Sequence, residues 1–120
     1  MSFGVERNYT TKLIGKKEEL SSEMVNEYKD KDYEELRIIL DKNVKQIARS
    51  TGKQIRRVRN DVYTKLADVT GFNVFDVGPV PLYDREKGIN RGSSLVNTLI
   101  THGYIAEAVV ISDDMKRGVN

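Results

Sequence analysis

The sequence predicts a mainly α domain with a small β element, and three observations carry that prediction. Leu36, Ile39, Leu40, Val44, Ile47 and Ala48 fall on one face of a helical period. A second apolar stripe, Ile55, Val58, Val62, Leu66 and Val69, follows after an interruption at Gly52. Beyond Thr70-Gly71 the texture changes to a short apolar–polar alternation, then to Gly78-Pro79-Val80-Pro81, which cannot continue a helix.

Taken in order, residues 1–15 mix polar and apolar positions around Gly4 and Gly15 and read as a flexible arm, ordered only where it docks. Residues 16–112 read as one domain. Its first helix spans 16–29, with Leu20, Met24, Val25 and Tyr28 on one stripe. Asp32 is an expected N-cap, and Glu35 three positions on completes an Asp version of the capping box for a helix over 33–51. Gly52 can take a left-handed conformation and end that helix cheaply. The next helix covers 53–68 and presents Lys53, Arg56, Arg57, Arg59, Asn60 and Lys65 outward.

The C-terminal third is read from weaker signals. One or two strands are expected in 72–82 and 104–112: Phe72 to Val77 alternates, and Tyr104 to Ser112 is rich in β-branched residues. Ala106-Glu107-Ala108 in the second segment tolerates a helix as well. Residues 84–92 are charged, contain two glycines, and read as an exposed loop. Ser93 or Ser94 caps a helix over 94–101 that His102-Gly103 closes, and 113–120 reads as a tail.

Composition narrows the classes. A chain of 120 residues, 38% hydrophobic and 32% charged, can build one modest core. The absence of cysteine excludes disulfides and thiolate zinc sites and fits a reducing, cytoplasmic setting. No apolar run approaches the roughly 20 residues needed to cross a bilayer, so no membrane partner is expected. The net charge of +2 is unevenly spread. Residues 18–42 hold nine acids and four bases, whereas 43–67 hold seven bases and one acid. So basic a window in a near-neutral chain is a candidate phosphate-facing patch, or else a solvated face paired with the acidic window before it.

Within that window, VKQIARSTGKQIRRVRNDVYTKL (44–66) has the parts of a helix-turn-helix: a small residue at Ala48, a glycine turn at Gly52, and Val58 and Val62 to anchor a second helix. IARSTGKQIRRVRNDV is similar to the central stretch of the winged-helix repressors of sugar metabolism. In those an Ile-Ala pair, a Thr-Gly or Leu-Gly turn and an Arg-any-Asp-aliphatic run recur at this spacing. Here they are Ile47-Ala48, Thr51-Gly52 and Arg59-Asn60-Asp61-Val62, with Lys53 where the family has an apolar residue. The resemblance implies a winged-helix-like fold with Lys53 to Leu66 as recognition helix. Gln54, Arg56 and Arg57 would face base edges, and Arg59, Asn60, Lys65 and Lys53 would complete the contact with double-stranded DNA. The family pattern has a loop between its first two helices; here one unbroken helix from Asp32 to Thr51 explains the apolar spacing equally well, and that alternative is a plain helical hairpin with a basic second arm, which leaves the function open.

A second stretch, IRRVRNDVYTKLADVTGFNV, resembles the C-terminal helical regions of phage antirepressor-type proteins. Together these imply a small transcriptional regulator of phage or prophage type, acting as a homodimer because two half-sites multiply specificity. The apolar segment Leu95 to Ile111 is the expected dimer contact. The alternative class is an inhibitor or adaptor that binds a host protein without touching nucleic acid.

Other candidates carry less. His102 is the single histidine and, at a helix end, suits a capping or dipole role better than a metal site. Asp113-Asp114 lacks the further oxygen ligands of a calcium loop. Arg91 with Ser93 and Ser94 at a helix start can hold a phosphate or other anion, although capping alone accounts for the serines. No catalytic constellation, cofactor motif or metal-ligand spacing stands out, so neither an enzyme nor a cofactor is expected.

Overall fold

In a computed structural model, residues 20–118 are described, and they form helices α1 (Ser22–Lys29), α2 (Tyr33–Thr51), α3 (Ile55–Thr70), α4 (Val74–Val77), α5 (Leu95–His102) and α6 (Ile105–Gly118), with strands β1 (Val80–Asp84) and β2 (Ile89–Ser94). The expected class, mainly helical with a small β element, is the one observed. The arm expected over 1–15 and the start of the helix expected from 16 lie outside the described residues.

Each early helix follows from local chemistry. Ser21 caps α1, its Oγ accepting from the Met24 N–H at 3.3 Å. α2 starts with Glu34 and Glu35 in its first turn, where carboxylates favour the helix dipole. It runs without a break through Asn43, so of the two readings of 33–51 the chain adopts the single helix. The extra loop of the repressor pattern is absent. Asp32 is the N-cap, as expected, but its side chain makes no cap bond: its carboxylate pairs instead with Lys87 Nζ at 2.6 Å. α2 ends at Gly52, whose φ of 76° puts it in the left-handed region as expected.

The core forms around α6, which packs on α1, α2, α3 and α5. Ile105, Ala106, Ala108, Val109, Val110, Ile111 and Ser112 are all buried in it. The expectation of a strand over 104–112 and of a tail from 113 is therefore corrected. A helix enclosed on every side has no polar face, so its sequence loses the 3.6-residue signature and its valines and isoleucines imitate a strand. One buried polar network threads this interface. Asn43 Nδ2 donates to Ser112 Oγ at 2.9 Å and to Asp113 Oδ1 at 2.7 Å, and the Tyr28 hydroxyl donates to the other oxygen of Asp113 at 2.5 Å.

The β element overlaps its expected position only at the start of β1, within 72–82. Residues 74–77 form one helical turn, started by Asn73, whose Oδ1 accepts from the Phe75 N–H at 3.0 Å. The stretch expected as a charged loop instead forms an antiparallel hairpin, with Asp84 opposite Ile89 and Leu82 opposite Arg91. Pro81 is compatible with β1 because a two-stranded sheet consists only of edges. Three polar links fasten the hairpin to the start of α2. The Tyr33 hydroxyl donates to Asp84 at 2.5 Å, Lys87 pairs with Asp32, and Arg91 pairs with Glu34 at 2.6 Å. No single helix among the described residues is long and apolar enough to cross a membrane.

Candidate nucleic-acid interface

The turn between α2 and α3 is Gly52, Lys53 and Gln54. Thr51 Oγ1 donates to the Ile47 carbonyl at 2.8 Å and accepts from the Lys53 N–H at 3.4 Å, which tightens the exit from α2. Gln54 is the N-cap of α3, in extended backbone and without a side-chain cap bond. Val58, Val62 and Leu66 are wholly buried and hold α3 against the core, as their spacing predicts. Ile55, expected inward, is 41% exposed, because the first turn of α3 projects beyond the packed surface.

The arginines on that projecting turn face solvent. Arg56 and Arg57 are exposed, as is Arg49 at the end of α2, and none has an ion-pair partner among the described residues. α3 carries no acid in its first turn. Two cations there oppose the helix dipole, so the uncapped N–H groups and both guanidiniums favour the approach of an anion. Gln54 lies beside them, also exposed.

The remaining expected contacts separate from this group. Lys53 Nζ pairs with Asp61 at 3.3 Å while its side chain stays half exposed. Arg59 Nη2 hydrogen-bonds Asp41 Oδ1 of α2 at 3.1 Å, which turns it toward the protein. Asn60 and Lys65 are half-buried along the flank of α3. The expected set thus divides into an exposed start (Gln54, Arg56, Arg57, with Lys53 beside them) and a flank engaged with the fold.

Sequence reasoning missed a second group. Glu34 Oε1 accepts from Arg37 Nη2 at 3.1 Å and from Arg91 Nη2 at 2.6 Å, while Asp41 holds Arg59 and, at 3.0 Å, Lys45. Arg91 and Ser94 had a local signal, as possible anion holders. Ser94 does cap α5, accepting from the Asn97 N–H at 3.1 Å. Glu34, Arg37 and Asp41 had none, because β2 reaches them only through the fold. His102 ends α5, with its ring centroid 5.3 Å from that of Phe72, and belongs to no group of three or more metal-ligating side chains among the described residues.

Compared with protein-family models, with curated proteins and with solved structures, the chain matches none.

Proposed function

We propose that the protein is a small, sequence-specific DNA-binding transcriptional regulator of phage or prophage type, which reads double-stranded DNA with the start of α3. The observation that carries this reading is the pair Arg56 and Arg57, exposed on the first turn of a helix that begins at a tight glycine turn. Arginine forks match guanine edges, and Gln54 beside them suits adenine. Arg49 and Lys53 flank the pair and suit phosphates. The unbroken α2 is the plain helical-hairpin arrangement, so it removes the support that the repressor pattern lent; what supports the reading is the open start of α3 after a short turn alone. A mobility-shift titration against random duplex and against a selected site, at two salt concentrations, tests it. Salt-steep binding with a preferred sequence supports the proposal, and flat, weak binding at both salts refutes it.

A specific observation favours a second reading, an adaptor or inhibitor that binds a host protein. Phe75, Val77 and Tyr83 expose large apolar surface, Tyr83 being 68% accessible. Of the segment expected to close a homodimer, Leu99 and Ala108 to Ile111 are buried in the core, while Leu95, Val96, Ile100 and Tyr104 keep part of their surface for such a contact. Co-purification of a host protein that survives Arg56→Ala and is lost with Tyr83→Ala would favour this second reading.

A further inference from the structure

A cavity of about 490 Å³ opens between α2, α3, β2 and the start of α5, lined among others by Arg37, Asp41, Arg59, Arg91 and Ser94. Its charges do not balance. Three arginines, Arg37, Arg59 and Arg91, line it beside one carboxylate, Asp41, which pairs with Arg59, while Glu34 behind the lining pairs with both Arg37 and Arg91. Its hydrogen bonds do not balance either. Arg37 Nε and Arg91 Nε are buried without an acceptor, and Glu34 Oε2 is buried without a donor. Ser94 Oγ uses a lone pair to cap α5, so its proton remains available to donate. Buried donors without acceptors are costly and rare, and an oxyanion satisfies several guanidinium donors at once, whereas Glu34 Oε2 needs a donor such as a protonated phosphate oxygen.

We propose that this cavity binds a small phosphate-bearing molecule, held by Arg37, Arg59 and Arg91 with Ser94 as a neutral donor. The volume falls in the range of small-ligand sites, and guanidinium forks fit phosphate oxygens in pairs. The ligand site is distinct from the exposed arginines at the start of α3, so it stands whether or not the protein reads DNA.

The test uses the full chain without DNA, in melting and calorimetric titrations with inorganic phosphate, pyrophosphate and citrate, each against chloride at equal ionic strength. A saturable rise in melting temperature is expected with phosphate and with pyrophosphate. Arg91→Ala and Arg37→Ala should weaken that affinity by about tenfold or more, the scale of a lost hydrogen bond between charged groups. Arg56→Ala should leave it unchanged. Arg91→Lys keeps the charge but loses the fork; should the alanine variants fail to fold, its weaker binding with native circular dichroism serves instead. No shift beyond chloride, a response to citrate alone, or loss of the phosphate response with Arg56→Ala would each overturn the proposal.

Discussion

Arg59 reaches from α3 back to Asp41 on α2, Nη2 to Oδ1 at 3.1 Å, although the two residues lie on opposite sides of the glycine turn. That bond divides the basic window into two populations. One faces the protein's own carboxylates; the other, at Arg56 and Arg57, faces outward. The division sets the expected ranking of DNA variants. Arg56→Ala and Arg57→Ala should each cost about 1–3 kcal/mol of binding to a preferred site if they read bases, and Arg59→Ala should cost less. Fluorescence anisotropy on a single duplex checks the order, and equal losses at all three positions would contradict it.

Salt response distinguishes a base reader from a phosphate holder. Each phosphate contact contributes a slope of roughly −0.9 in a plot of log affinity against log salt. Arg49→Ala should therefore flatten the slope by about one unit and weaken all sequences alike. Arg56→Ala should relax sequence preference. Titrations at several salt concentrations with matched and scrambled duplexes separate the two behaviours.

The buried Asn43 joins α2 to Ser112 and Asp113 of α6. Asn43→Ala leaves both partners short of a donor and should destabilise the fold by roughly 1–3 kcal/mol. Asn43→Asp should be worse, because it sets a second carboxylate against Asp113. Urea denaturation monitored by circular dichroism measures both, and a neutral Asn43→Asp would refute the network's role.

How much of this was legible beforehand follows from the physics of each element. α2 and α3 each bury one stripe and expose the other, and a left-handed glycine ends each of them, so periodicity and turn chemistry located both. Over Ile105 to Ser112, α6 has no exposed stripe to betray it. Residues 72–77 alternate well enough to suggest a strand, but the Asn73 cap and Gly78 close them into a single turn. The hairpin was hidden because its exposed, charged residues match loop composition, while its pairing is a backbone property. At the candidate interface the arginine run announced itself, but which arginines stay exposed depends on Asp41, a neighbour only in space. The Glu34–Arg91 contact spans 57 positions and has no local signature.

Tyr63 is almost fully buried, its hydroxyl has no partner among the described residues, and burial pushes its pKa up to about 12. Tyr28 is also raised to about 12, chiefly by its hydrogen bond to Asp113. An unfolded tyrosine ionises near 10, so neither group makes stability depend on pH below about pH 10, and stability falls as pH rises toward 12, where only the unfolded chain ionises readily. Tyr63→Phe should be neutral or stabilising by up to about 1 kcal/mol at pH 7, since it removes an unpaired buried hydroxyl. It should also make the alkaline decline shallower. Urea midpoints between pH 7 and 11.5 test both effects.

Leu99 is wholly enclosed, so a charge there should unfold the chain rather than split an assembly. Leu99→Asp is expected to lose its helical circular dichroism; a folded monomer would restore the idea of an interface at this position. The milder Leu99→Ala should cost about 2–5 kcal/mol through the void it leaves.

The order in which the chain is made has a consequence for what it can present. α6 comes after every other element, yet it is the pillar around which they close. A nascent chain that has emerged only as far as His102 has its arginines in hand but nothing to brace them against. The turn that carries Arg56 and Arg57 therefore takes its fixed place only once Ile105 to Ser112 has been delivered, and a product truncated at His102 should lack that shape.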